Sequence, residues 1–156
     1  MARRIVLAGS VLGAGLVASA LAIAAPKGVN LGDTKRWREL DAQLQKKVQP
    51  LNQACGTSLD AAYDAGSYEG KSTDDARAGA YCPQSFDTLK TLCGTDAGKT
   101  AVKARVKHFV CRFSTDGTKV TLDGDKLIIH IDPKRTGIEG KKPGSYNWKS
   151  AIEEVL

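Results

Sequence analysis

The chain has 156 residues, 42% hydrophobic and 26% charged, with 23 Lys and Arg against 17 Asp and Glu for a formal charge of +6. That length supports one hydrophobic core, not two, once a leader is set aside. The basic excess is mild and forms no dense stripe, which speaks against nucleic acid as a partner and leaves anionic cell-envelope polymers compatible.

Residues 1–25 are expected to be a signal peptide. Arg3 and Arg4 form a basic n-region, an apolar Gly/Ala-rich run follows from Ile5, and Ala20-Leu21-Ala22 and Ala22-Ile23-Ala24 suit cleavage. The alternative is an uncleaved membrane anchor, since Ile5 to Ala25 is long enough to span a bilayer. No cysteine lies there to carry a lipid. Loss of the two leader arginines lowers the charge from +6 to +4. Residues 26–32 read as a linker and 33–156 as a single disulfide-bonded domain.

Asp33 or Thr34 can cap a helix in which Trp37, Leu40, Leu44, Val48 and Leu51 form a narrow apolar stripe. Pro50 is expected to kink or end it, and Gly56 to mark its stop. Ser58 to Tyr63 alternates weakly, as an edge strand does, and residues 64–81 show no clear period. Their carboxylates Asp64, Glu69, Asp74 and Asp75 are better read as a solvated loop than as a cation site. Cys82-Pro83 is expected to start a helix with Phe86, Leu89 and Leu92 inward and Gly94 as its end. Thr95 or Asp96 caps another, running to about Arg105, with an acid in its first turn and bases in its last.

The strongest local signal is Val106 to Asp132. Asp116-Gly117 and Asp123-Gly124, each between alternating apolar residues, predict two hairpins and hence a three-stranded antiparallel meander. Two-residue loops would set Phe113 opposite Val120 and Val120 opposite Leu127. Phe109, Cys111, Phe113, Val120, Leu122, Leu127, Ile129 and Ile131 then share one face. Val106, His108, Val110, Arg112, Lys119, Thr121, Lys126, Ile128 and His130 share the other, expected to be partly wet. Ser58 to Tyr63 is the expected partner for residues 106–110. Asp132-Pro133 closes the meander, a basic loop spans 134–144, and Asn147 caps a last helix with Trp148, Ile152 and Val155 on one side.

Four cysteines in an exported chain imply two disulfides. Cys82 and Cys93 flank one helix and would stand roughly 16 Å apart, too far to bridge. Two pairings remain: 55–82 with 93–111, or 55–93 with 82–111. Zinc is disfavoured by gaps of 27, 11 and 18 residues between successive cysteines. This layout resembles that of small exported bacterial proteins with four cysteines, but no family motif is matched.

Three patterns resemble functional signatures and fail on context. Gly13 to Ala18 fits a loose dinucleotide fingerprint inside the leader, with no βαβ unit around it. CGTDAGKT, Cys93 to Thr100, nearly matches a phosphate-binding loop, but Cys93 replaces the first glycine and a helix precedes it. His108 and His130 share a sheet face, yet the meander register separates them by roughly 26 Å, which rules out a common metal. There is no GxSxG or HExxH, and paired cysteines leave no thiol nucleophile.

The expected fold is α+β: a small antiparallel meander of three to four strands, covered on one face by short helices and stapled through Cys55, Cys82, Cys93 and Cys111. The expected function is a non-catalytic exported binding module, an inhibitor or ligand of an envelope component. No catalytic residue, cofactor or metal is assigned. The partner is an envelope or extracellular protein or polymer, and the chain is a monomer that meets membrane only if the leader is kept. Two alternatives are an envelope hydrolase using carboxylates of residues 60–75 and a membrane-tethered structural domain.

Overall fold

The computed structural model describes residues 31–68, 77–134, 137–139 and 147–156. The leader and residues 26–30 of the expected linker lie outside them.

The first helix, α1, is Leu31–Cys55. Leu40, Leu44 and Leu51 are buried and Val48 half-buried, so the stripe meets the core. The helix starts two residues inside the expected linker, and it runs on through Pro50. Proline removes one backbone bond and crowds the preceding turn. The turn that follows is held from outside: Leu51 and Cys55 are fully buried, and Cys55 is bonded to Cys93. Tertiary anchoring outweighs the local penalty. Gly56 does end the helix, its amide and that of Thr57 reaching the Asn52 carbonyl at 2.8 and 3.1 Å.

Two polar side chains of α1 then finish the sheet. Asn52 Oδ1 accepts the Leu59 amide at 2.9 Å, and its Nδ2 donates to the Leu59 carbonyl at 2.8 Å. Gln45 Nε2 donates to the Ala61 carbonyl at 2.8 Å. These backbone groups border β1, Asp60–Tyr63, on the side away from its partner strand. The helix thus covers an edge that would otherwise be open to another chain. A single 3₁₀ turn, Ala65–Tyr68, follows, and Tyr68 is buried edge-on to both Tyr63 and Phe113.

The next helix, α2, is Arg77–Leu92 and begins five residues before the expected start at Cys82-Pro83. Ala78 and Ala80 favour helix, and Cys82 is fastened to a strand beneath, so Pro83 sits inside α2 rather than opening it. Phe86, Leu89 and Leu92 are its buried face, as expected. Helix α3, Asp96–Arg105, is capped by Thr95, whose Oγ1 accepts the Gly98 amide at 3.1 Å. Helix α4, Trp148–Val155, is capped by Asn147, with Trp148 and Ile152 buried.

Strands β2, His108–Phe113, β3, Lys119–Asp123, and β4, Lys126–Ile131, complete a four-stranded sheet of order β1-β2-β4-β3. It is mixed. β1 and β4 both run parallel to β2, and only β3 and β4 are antiparallel. The expected partnership of β1 with β2 forms, but in parallel. The expected hairpin at Asp116-Gly117 does not form: β4 lies between β2 and β3. The reason is burial. Leu127-Ile128-Ile129 is a continuous apolar run, the pattern of a strand sheltered on both faces, whereas Lys119 to Asp123 alternates and suits an edge.

The second turn does make a hairpin, with Gly124-Asp125 as its loop. Asp123 faces Lys126, and Val120 faces Ile129 rather than Leu127. An Asp123-Gly124 loop of type I′ needs positive φ at the aspartate as well as the glycine. Shifting the loop by one leaves a single positive φ, of 60° at Gly124, as a type II′ turn requires. The register moves by two, so every side chain keeps its face. Phe109, Cys111, Val120, Leu127, Ile129 and Ile131 are all buried on the helix side, with Phe113 and Leu122 partly so. Val106, expected on the other face, caps α3 and belongs to the core.

The two disulfides are Cys55–Cys93 and Cys82–Cys111, with Cα separations of 5.0 and 6.0 Å. All four cysteines are used, and the 55–82 with 93–111 alternative is not adopted. Together the bridges pin α2 in its second turn to β2 and just past its C-terminal end to α1, and Phe86 meets Phe109 edge-on with centroids 4.9 Å apart.

Candidate functional site: the second face of the sheet

The registers place the side chains of the second face in three rows across the strands. One end carries Asp60, His108, Lys126 and Asp123. The middle carries Ala62, Val110, Ile128 and Thr121. The far end carries Arg112, His130 and Lys119, with Asp64 just beyond β1. None of the described helices packs here: His108, Val110, Arg112, Lys119, Thr121 and His130 are all part-exposed. Ile128 is only 5% exposed but stands outside the main core cluster. Its cross-strand neighbours are Val110 and Thr121, so the middle row is a mostly apolar strip, with Ile128 nearly covered and Val110 half-buried, between two charged ends.

Each end is held by specific bonds. His108 Nδ1 lies 2.8 Å from Asp60 Oδ1, and Arg112 Nε donates to Asp64 Oδ2 at 2.8 Å. His130 Nε2 lies 2.9 Å from Thr121 Oγ1. Burial, then the nearby Arg112 and Lys119 charges, hold the His130 pKa below the usual histidine value, against a smaller upward pull from Asp116. At the other end the Lys107 ammonium, hydrogen-bonded to Asp125, lowers that carboxyl, and the Asp125 carbonyl accepts the Lys107 and His108 amides at 2.9 and 3.1 Å.

The chemistry that sequence motifs suggested does not assemble among the described residues. His108 and His130 do lie on one face, but the mixed register corrects their spacing. His130 neighbours Arg112, four residues along β2 from His108, which gives roughly 14 Å instead of 26 Å. Each ring also has its own partner, so a shared metal remains out of reach, and no group of three metal-binding side chains occurs among the described residues. Asp60 and Asp64 stand about 13 Å apart along β1, each engaged by its own base, too far for a carboxylate pair. Glu69, Asp74 and Asp75 lie outside the described residues. Two depressions, of about 420 Å³ beside Gly56 to Leu59 and about 530 Å³ along α1 at Gln45 to Gln53, are shallow and open.

In the CGTDAGKT stretch Cys93, Gly94 and Thr95 link α2 to α3, and Asp96 to Thr100 form the first turns of α3. Its Gly98 is explained by packing, since a Cβ there would collide with the Leu92 carbonyl. The Gly13 to Ala18 fingerprint falls outside the described residues. Sequence reasoning assigned Arg112, Lys119 and His130 to one face but not to one row, because rows are set by strand order. Among the described residues no helix is long and apolar enough to cross a membrane. Comparison with protein-family models, curated proteins and solved structures finds no match.

Proposed function

We propose that the chain is an exported, non-catalytic binding module that engages an envelope component through the face of its sheet that none of the described helices covers. The observation that carries this reading is the contrast between the two faces. One is sealed by α1, α2 and α4 and fastened by two disulfides. The other carries a mostly apolar middle strip between charged rows in which His108, Arg112 and His130 are positioned by bonds to Asp60, Asp64 and Thr121. Pre-positioned side chains on a stapled scaffold lose little freedom on binding. Export is supported by the basic and apolar leader pattern and by two disulfides, which persist in oxidising compartments.

The test is capture from envelope extract with the oxidised chain and with a Val110→Glu variant, which puts a charge on the strip without touching the core. A component retained by the first and lost by the second supports the reading. Equal retention by both, or degradation of an envelope polymer by the chain, overturns it.

A further inference from the structure

The two charged rows differ in balance. Across the first, Asp60, His108, Lys126 and Asp123 place an acid at each end of two basic side chains, so the row neutralises itself. Across the other, Arg112, His130 and Lys119 are immediate neighbours on β2, β4 and β3. Strand spacing puts the three within roughly 10 Å. Like charges directly opposite one another on paired strands are destabilising. Among the described residues two carboxylates border the row: Asp64, bonded to Arg112 Nε, and Glu139, whose amide donates to the Thr118 carbonyl next to Lys119 and whose carboxylate lies by Gly117. Lys119 has no acidic partner among the described residues, and Asp116, on the loop after β2, acts on His130 only at a distance.

We infer that the Arg112–His130–Lys119 row binds a phosphate-class oxyanion carried on an envelope polymer. This rests on the binding-module reading and names the ligand of that same face. Arg112 keeps its terminal nitrogens after Nε is taken by Asp64, and a guanidinium with an ammonium on either side of an imidazole suits a tetrahedral oxyanion. Thr121 Oγ1 holds His130 through Nε2, which leaves Nδ1 for the ligand. Arg112 and Lys119, on β2 and β3 with His130 between them, meet successive units of a repeating anion better than a single ion, because each added phosphate contact releases further counterions.

Proton uptake follows from the same geometry. The groups facing His130 are Arg112 from β2, Lys119 and Thr121 from β3, and Asp116 from the connecting loop, with Asp64 committed to Arg112. Both neighbouring cations disfavour a charged ring in the free protein. A bound anion reverses that, so affinity rises as pH falls.

The probe is linear polyphosphate, with orthophosphate as the single-ion arm, titrated calorimetrically into the full oxidised chain at about pH 5.5 and about pH 8. The expected result is binding about tenfold tighter at the acid pH, with His130→Gln losing that gain. Lys119→Gln, which breaks no ion pair and leaves the fold intact, should weaken polyphosphate binding about tenfold, and Arg112→Gln should do so at least as strongly. Unchanged affinity in Lys119→Gln, or no polyphosphate binding by the unaltered chain, overturns the assignment. Orthophosphate binding as tightly as the polymer overturns the polymeric source. If an envelope component is still captured through the Val110 face while polyphosphate fails, the anion assignment falls alone and the module reading stands.

Discussion

Cys82, in the second turn of α2, is bonded to Cys111 in the middle of β2, with Cα atoms 6.0 Å apart. The bridge fastens the helix that carries Phe86 directly over Phe109, at the centre of the sealed face. Its counterpart, Cys55–Cys93, joins the far end of α2 to the end of α1. Replacing Cys82 and Cys111 together by alanine is expected to lower stability by about 2–4 kcal/mol. Urea unfolding of the oxidised double variant measures it, and a loss below about 1 kcal/mol would mean that core packing alone seats α2.

Phe86 should be more costly to remove than any surface group. It is 1% exposed and packs edge-on against Phe109. Phe86→Ala is expected to destabilise the chain by about 3–5 kcal/mol, read from the same denaturation midpoint at unchanged slope.

Asn52 is a polar side chain with a structural task. It pairs with both the amide and the carbonyl of Leu59. Asn52→Ala leaves two half-buried backbone groups without these partners and should cost about 1–3 kcal/mol. Amide exchange should quicken at Leu59 before it quickens in β4. Uniform exchange throughout the sheet would contradict the edge-covering role.

Gly98→Ala sets helix propensity against space. Alanine would favour the helix by about 1 kcal/mol. The new Cβ, however, meets the Leu92 carbonyl, a backbone atom that cannot turn aside. Net destabilisation of about 1–3 kcal/mol is expected, and a rise in melting temperature would show that the α2–α3 link yields.

The pH dependence of stability should carry a His130 component. Its pKa is lowered in the folded chain, so the unfolded chain binds the proton more readily. Stability from this group is therefore full above the ordinary histidine value. It is lost as pH falls through that value toward the lower folded one. His130→Gln should flatten the wild-type decline in urea midpoint between pH 7.5 and pH 5, and an unchanged decline would assign it to other groups.

The faces of the strands were legible in the residues, but their order was not. Period-two alternation from Phe109 to Ile131 gives the buried side, and a two-residue shift at Gly124 left it intact. Strand order is a different kind of information. The Asp116-Gly117 pair has the local chemistry of a hairpin, and it lost to the demand that Leu127, Ile128 and Ile129 be sheltered together. That continuous run was the available sign of a central strand. Helix caps at Thr95 and Asn147 were readable because capping is local. Helix passage through Pro50 and Pro83 was not, because long-range anchors at Cys55 and Cys82 decide it. The same holds for the candidate site: Arg112, His130 and Lys119 become neighbours only once β4 is placed between β2 and β3.

Methyl and amide chemical-shift mapping of the full oxidised chain, with and without the envelope component it captures, tests the central claim most directly. The account predicts that shifts concentrate at Val110, Arg112, Thr121, Ile128 and His130, with the α1 and α4 surfaces unchanged. Shifts confined to those helices, with Val110 and Ile128 still, would contradict it.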